Sequence, residues 1–468
     1  MGFIENLISD ANNALYSYIL IILLIAGGLY FTLRTKFVQF RLFPEQFRVI
    51  GEKPGDKNGI SSFQALMVST ASRVGTGNII GVSTALCIGG FGSVFWMWVI
   101  ALIGCASAFY ESTLAQIFKK KGPDGCYGGP AYYIESALGN RHLAIVFSIF
   151  LILTYGFGFN MLASYNLQST FEPYSFYSPE YTPWIIGGIV ALIVCYCLIG
   201  GGKRIIRVTN LMVPVMGLLY VVVALLVVVI NIRFLPAVFG RIFEEAFDFK
   251  AIFGGFSGSC VMYGIKRGLF SNEAGVGSAP NASASAQVSH PVKQGLVQMF
   301  SVFLDTIIIC SATAFMCMCS GVEPSEALSG APYVQKSLEA IFGSAGPIFI
   351  TVAMVLFAFT TLLGNLYYVD KAIIHIFKKT PSKAASYVIY VILSLVIFAG
   401  AGISADFLWN IADLTMGAMT IINMPVIFVL GKYVIKALRN YEAQRKAGTD
   451  PVFKAKDIGL EDKTDCWN

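Results

Sequence analysis

The chain has 468 residues, of which 56% are hydrophobic and only 13% charged, with a formal net charge of +6. Soluble domains are about 25% charged on average. A chain this long therefore lacks the charges to cover two or three soluble domains, and a polytopic membrane protein is the expectation. The positive balance then belongs to basic loops on one side of a bilayer rather than to nucleic acid.

Eleven apolar stretches are long enough to cross about 30 Å of hydrocarbon. They fall at 15–33, 63–90, 92–118, 142–165, 183–200, 207–231, 251–288, 294–319, 345–376, 384–402 and 408–437. The first follows the acidic residues Glu5 and Asp10 and precedes no small-residue cleavage pattern, so it reads as a retained span and not a secretory signal. The tail 438–468 is charged, poor in apolar residues, and expected to be mobile. With the N-terminus outside, the inner loops and tail hold 26 Lys and Arg residues, the outer loops four, and the spans three (Arg73, Lys266, Arg267). That asymmetry supports both the span count and the orientation, with a cytoplasmic C-terminus; the inner membrane is the expected location.

Setting the first span aside leaves two sets of five. Five is odd, so the second set starts from the opposite side, which makes an inverted repeat. The expected organisation is an extra helix and basic cytoplasmic loop over 1–62, a first repeat over 63–250, a second over 251–437 and a cytoplasmic tail over 438–468. The opening span of each repeat is interrupted. The first carries "STASRVGTGNIIGVS" (Ser69–Ser83) and the second "YGIKRGLFSNEAGVGSAP" (Tyr263–Pro280). Glycine inside a helix costs roughly 1 kcal/mol against alanine, and polar backbone at bilayer depth is tolerated only where it lines a cavity or is buried in protein. Gly75, Gly77 and Gly81 could serve as a helix-packing face, but a break at the same place in both halves favours a midplane site for an ion and a small polar solute.

The run Gly75-Thr-Gly77-Asn-Ile-Ile-Gly81 is one residue too long for a dinucleotide fingerprint and has no acidic residue about 20 positions on. His142, His290 and His375 lie near loops or span ends, and no nucleophilic triad is set up, so an enzyme is not expected. The ten cysteines show no paired metal-ligand spacing. Arg73, Lys266, Arg267 and Glu273 are charges beside the breaks and read as gating ion pairs, with Glu273 the acid for either base or for Arg73. Thr360 and Thr361 are adjacent hydroxyls in an apolar span; either ligates a small cation or bonds back to its own helix. Glu111, Asn160, Asp305, Asp413 and Asn423 are further intramembrane polar groups, most of them expected to be interhelical glue.

These segments resemble the alanine or glycine:cation symporters. The matching motifs run in order along the chain: "VGTGNIIGV" (Val74–Val82), "GGPAYYI" (Gly128–Ile134), "GGKRI" (Gly201–Ile205), "KRGLFSNEAGVGSAP" (Lys266–Pro280), "FAFTTLLG" (Phe357–Gly364) and "WNIADLTMGAMTIIN" (Trp409–Asn423). The resemblance implies an all-α membrane protein of leucine-transporter type. It has one extra helix before a five-plus-five inverted repeat with two broken helices. It also implies Na+ as coupling ion, small neutral amino acids as substrates, and alternating access. By the same resemblance, the carbonyls of Ala71 and Val74 and the hydroxyls of Thr360 and Thr361 bind sodium. Thr76, Gly77, Asn78, Asn160, Tyr263, Gly264, Gly268 and Asn365 meet the substrate. Asn365 stands where members often have tryptophan, and Ala163 where they often have glutamine. Both departures reshape the pocket wall and point to a larger or more polar neutral amino acid such as glutamine.

Overall fold

The computed structural model describes residues 2–54, 59–122, 125–255, 259–461 and 463–467. Among these residues nine helices are long and apolar enough to cross a membrane. They are Leu7–Arg34, Gly92–Ile117, Arg141–Ser169, Thr182–Ile199, Gly201–Ile230, Pro291–Met318, Ala345–Phe377, Lys383–Gly400 and Ala405–Lys446. They match the expected spans other than 63–90 and 251–288, which are the two interrupted ones.

Burial sorts these helices into an inner set and an outer set. In Gly92–Ile117, Pro291–Met318 and Ala345–Phe377, 67% of the most apolar window is buried. In Gly201–Ile230 and Lys383–Gly400 the share is 28% and 22%. Thr182–Ile199 and Gly201–Ile230 turn Leu192, Leu211 and Leu218 outward at 68–73% exposure. An apolar surface this extensive is unstable in water and stable against lipid.

Both interrupted segments begin with a serine cap. Ser61 and Gln64 form a reciprocal capping box at the start of Ser62–Arg73. Ser259 caps Cys260–Asn272 by accepting from the Met262 amide at 3.3 Å. These half-helices have 12 and 13 residues, so each reaches roughly 18–20 Å, a little over halfway through the hydrocarbon. The first stops where Val74 leaves the helical region (φ −77°, ψ 86°), then resumes as a wide turn over Gly77–Gly81 and a helix over Val82–Gly89. The second stops at Glu273 in the left-handed region (φ 52°), followed by Gly275 (φ 87°) and Gly277 (φ 93°). It then makes one turn over Pro280–Ser283. The exit of the second segment meets the entrance of the first, where Gln287 N–H donates to the Ile60 carbonyl at 2.9 Å.

The connecting segments gather into two groups. In one, Lys293 pairs with Glu52 (2.8 Å) and Asp450 (3.0 Å), and Arg141 with Glu135 (3.2 Å). In the other, Glu245 accepts from the Phe91 amide and pairs with Arg241, which also reaches Glu323 at 2.9 Å. The first group joins loops expected inside, and the second joins loops expected outside.

Three details differ from the sequence reading. The second interrupted helix begins at Cys260 and not near 251, after the separate helices Leu235–Ala246 and Phe249–Gly254. The loop after the first span carries helices Val38–Arg41 and Phe43–Ile50. The tail is not loose: the last long helix runs to Lys446, and the chain beyond it buries Phe453, Leu460 and Trp467. A few well-placed apolar residues anchor it, which average composition over the tail does not reveal.

Candidate functional site

The diverted backbone of the first break is the starting point. Gly75 N–H donates to Asn78 Oδ1 (2.8 Å) and so does not supply the helical bond due to the Ala71 carbonyl. Asn78 in turn donates from Nδ2 to Ser271 Oγ (2.9 Å) and Asp305 Oδ1 (2.7 Å), and Ser271 donates to Asp305 Oδ2 (2.6 Å). The two interrupted segments are thus tied to each other and to the helix Pro291–Met318 through one buried carboxylate. The Asn78 side chain is consumed by this strut and does not face a solute, contrary to the role the resemblance gives it.

The opposite wall comes from Ala345–Phe377. A Cβ added to Gly75 would lie 2.1 Å from Thr361 Oγ1, and one added to Gly364 would lie 2.6 Å from the Ser72 amide nitrogen. Glycine at both positions lets the two backbones meet. Thr361 Oγ1 is buried with no hydrogen-bond partner. A native buried hydroxyl in that state calls for a ligand or a water. Thr360 is different: its hydroxyl donates to the Leu356 and Phe357 carbonyls (2.9 and 3.1 Å) and contacts Met216 Sδ. Of the two threonines, only Thr361 faces the break.

One turn along the same helix, Asn365 Oδ1 accepts from Ser72 Oγ (2.6 Å) and Asn365 Nδ2 donates to Asn160 Oδ1 (2.9 Å). Asn160 Nδ2 is buried and unpartnered. Thr76 Oγ1 accepts from Asn166 Nδ2 at 3.1 Å. A Cβ on Gly77 would lie 2.7 Å from the Phe270 ring. Phe270 packs against Phe159 and Trp409, with ring centroids 4.5 and 4.7 Å away. The structure therefore brings Ala71, Val74, Thr76, Gly77, Asn160, Thr361 and Asn365 around one locus, with an aromatic wall on one side.

Other expected residues lie elsewhere. Gly264 and Gly268 face Gly92–Ile117: added Cβ atoms would lie 2.5 Å from the Ser93 carbonyl and 2.6 Å from Ile100. They are packing glycines. Tyr263, one residue before, backs onto Gly89. The sequence placed all three in the substrate site because a break and its flanking helix read alike. The expected ion pairs are also repartnered. Lys266 Nζ and Arg267 pair with Asp413 at 3.0 and 3.3 Å, and Arg267 lies 3.9 Å over the Trp409 ring. Glu273 is in none of the ion pairs among the described residues; it accepts from Ser278 Oγ. Arg73 is buried and among the described residues donates only to Gln298, with Nε and one terminal nitrogen unpartnered there.

Sequence reasoning missed Ser72, Phe159, Asn166, Phe270, Ser271 and Trp409. The serines and Asn166 carry a signal, being polar groups in an apolar span. The aromatic residues carry none, since an aromatic in a span reads as packing. Glu111 is held by Asn423 Nδ2 at 2.9 Å, and Tyr133 donates to Asn423 Oδ1, which is the interhelical glue expected of these groups. No cluster of three or more metal-ligating side chains occurs among the described residues.

Residues 1–455 match the family model described as the sodium:alanine symporter family. The chain is 42% identical to the amino-acid carrier protein AlsT of Bacillus subtilis, over 100% of this chain and 98% of that protein. It is likewise 42% identical to the probable sodium/glutamine symporter GlnT of the same organism, over 99% and 96%. Identity to the sodium/alanine symporter AgcS of Methanococcus maripaludis is 34%, over 95% and 99%. The fold is similar to that of MhsT, crystallised with L-phenylalanine, with a TM-score of 0.56 at 16% identity, over 82% of this chain and 97% of that one.

Proposed function

The chain belongs to the sodium:alanine symporter family, a family of transporters, and on that premise we propose that it carries a small neutral amino acid across the membrane together with Na+. The observation that carries this reading is the buried, unpartnered Thr361 hydroxyl set against Gly75 at the first break. Hydroxyl and carbonyl oxygens suit a hard monovalent cation. Thr361 with the carbonyls of Ala71 and Val74 is the proposed sodium site. Asn160, Asn365 and Thr76, facing Phe270 across Gly77, form the proposed amino-acid site.

In this reading the chain crosses the membrane eleven times, the nine long helices plus the two interrupted segments. The N-terminus lies outside and the C-terminus in the cytoplasm. After the first helix, 63–250 and 251–437 form the two inverted repeats. Half-helices of matching length, capped alike and entering from loops of opposite groups, support the inversion. Substrates are alanine and glycine, with glutamine added. The amide of Asn365 in the site favours a polar side chain, and one relative is named as a glutamine symporter.

The test is uptake of radiolabelled alanine into proteoliposomes under a sodium gradient and, separately, a proton gradient alone, with unlabelled glutamine as competitor. Accumulation driven by sodium supports the reading. Accumulation driven only by protons overturns the sodium site, and a lack of competition by glutamine overturns the wider substrate range.

A further inference from the structure

The C-terminal tail ends beside the hairpin formed by Lys120–Gly122 and Gly125–Tyr127. Cys126 Sγ and Cys466 Sγ are 3.9 Å apart, both half-buried and both free thiols. Neighbouring contacts hold the tail in this register. Trp467 Nε1 donates to the Gln116 carbonyl (2.7 Å), Lys120 pairs with Asp465 (3.0 Å), and the Phe453 amide donates to the Ser289 carbonyl (2.9 Å). The ammonium of Lys119 sits 4.6 Å over the Trp467 ring and donates to the Ala286 carbonyl. The pair therefore stands where the end of Gly92–Ile117, the entrance of the first interrupted segment and the exit of the second converge.

Cys126 lines two cavities of about 480 and 600 Å³, and Cys466 lines the larger. The larger is bordered by Arg48, Lys53, Lys119, Lys121 and Lys293 against Glu52 and Asp450, which pair with Arg48 and Lys293; the net positive lining attracts an anionic thiol reagent. The hydrogen bond with Cys466 pushes the Cys126 thiol down, with Lys119 and Lys121 adding to the fall against the cost of burial. Cys466 is pushed up. One thiolate facing one thiol is the arrangement from which exchange starts.

We propose that Cys126 and Cys466 are a reversible thiol–disulfide pair, oxidised by anionic low-molecular-weight disulfides, that fastens the tail to the hairpin at the base of both interrupted segments. The Cys126 thiolate attacks one sulfur of the small disulfide, forming a mixed disulfide and releasing one small thiolate. Cys466 then loses its proton, attacks Cys126 sulfur and releases the second thiolate. The protein loses two hydrogens, and the small disulfide gains two electrons and two protons as two thiols. Closing the bond needs the sulfurs to approach from 3.9 Å to about 2.05 Å, a shift within reach of the two side chains and the tail.

The test uses the full chain in proteoliposomes, incubated with oxidised glutathione, alkylated and digested. A linked peptide pair containing Cys126 and Cys466, short of two hydrogens and separated by dithiothreitol, supports the proposal. So does a stable glutathione adduct on Cys126 in Cys466→Ser. Recovery of both cysteines in the wild type as alkylated thiols, or as separate glutathione adducts, overturns it. The effect on transport rests on the symport reading: oxidation lowers the initial uptake rate, dithiothreitol restores it, and Cys126→Ser does not respond. An unchanged rate in the cross-linked protein overturns the restraint on the moving segments. A protein that transports nothing in any redox state counts against the symport reading, and the peptide masses still decide the cysteine pair.

Discussion

Replacing Thr361 by valine should stabilise the sodium-free protein and weaken sodium binding at the same time. The hydroxyl is buried and has no hydrogen-bond partner among the described residues, and a buried hydroxyl without a partner costs the folded state about 1–3 kcal/mol. Valine keeps the shape and removes that cost, so the melting point in sodium-free buffer rises. If Thr361 ligates the ion, the same change removes an ion–dipole contact worth about 1.5–3 kcal/mol, and about 1.4 kcal/mol already corresponds to a tenfold change in half-saturation. Thr360 is the control. Its hydroxyl bonds to carbonyls of its own helix and a thioether, so Thr360→Val leaves sodium half-saturation within about twofold and lowers stability by about 0.5–1.5 kcal/mol. The assay is sodium-dependent uptake in proteoliposomes paired with thermal unfolding with and without sodium. Unaltered sodium dependence in Thr361→Val, or a shift confined to Thr360→Val, would refute the reasoning.

Asp413→Asn strands Lys266 and Arg267, both almost fully buried; removing one partner of a buried pair costs about 3–5 kcal/mol, read as a loss of folded yield and of melting temperature. Lys266→Met leaves Asp413 with Arg267 and is expected to cost less. Gly75→Ala puts a methyl 2.1 Å from Thr361 Oγ1, so uptake falls, and Gly75→Ala/Thr361→Ala recovers part of the lost stability. For Glu45, burial pushes the carboxyl up, but Arg48, Tyr441 and Arg445 outweigh it and hold it low; Asp450 is likewise held low against burial by Lys293 and Arg48. Depressed carboxylates contribute stability that is present above their unfolded pKa and lost as pH falls through the folded one. Thermal stability therefore drops as pH falls below the ordinary carboxylate range, and Glu45→Gln flattens that drop.

Much of the architecture is legible in the sequence because its signals are one-dimensional. A run of apolar residues the length of a bilayer becomes a span wherever it occurs, and a glycine-rich interruption at matching places gives the two breaks. The site is legible only where a residue type has one plausible use. Asn160 and Asn365 stand out as amides inside apolar spans, and the structure brings them together at 2.9 Å. Thr360 and Thr361 could not be separated, since a one-residue step of about 100° around the helix decides which one meets Gly75. Gly264 and Gly268 were misread because a glycine that admits a neighbouring helix and one that frees a carbonyl look identical in sequence. Asp413 is 146 positions from Arg267, and no local pattern announces so distant a partner. The tail was misjudged because Phe453 and Trp467 are too few to move an average, yet they suffice to dock it.

The arrangement of contacts also indicates where a bound ion would act. Asn78, Ser271 and Asp305 join the two interrupted segments to Pro291–Met318, and Gly264, Gly268 and Gly295 seat that group on Gly92–Ile117. These four elements form one packed body. Asn160, Thr361, Asn365, Trp409 and Asp413 belong to Arg141–Ser169, Ala345–Phe377 and Ala405–Lys446, outside that body. The contacts between the two sets include Thr361 against Gly75, Asn365 to Ser72, Asn166 to Thr76, Phe270 against Phe159 and Trp409, Asn423 to Glu111, and Asp413 to Lys266 and Arg267. A ligand can shift an equilibrium only through contacts that differ between its states. An ion held between Thr361 and the break at Gly75 strengthens the junction of the two sets directly. The proposed amino-acid site, a turn away at Asn365 and Ser72, lies on the same junction, so on the symport reading each ligand would favour the arrangement the other needs. That shared junction is a physical basis for coupling, and by reciprocity the amino acid must raise sodium affinity by the same factor that sodium raises affinity for the amino acid.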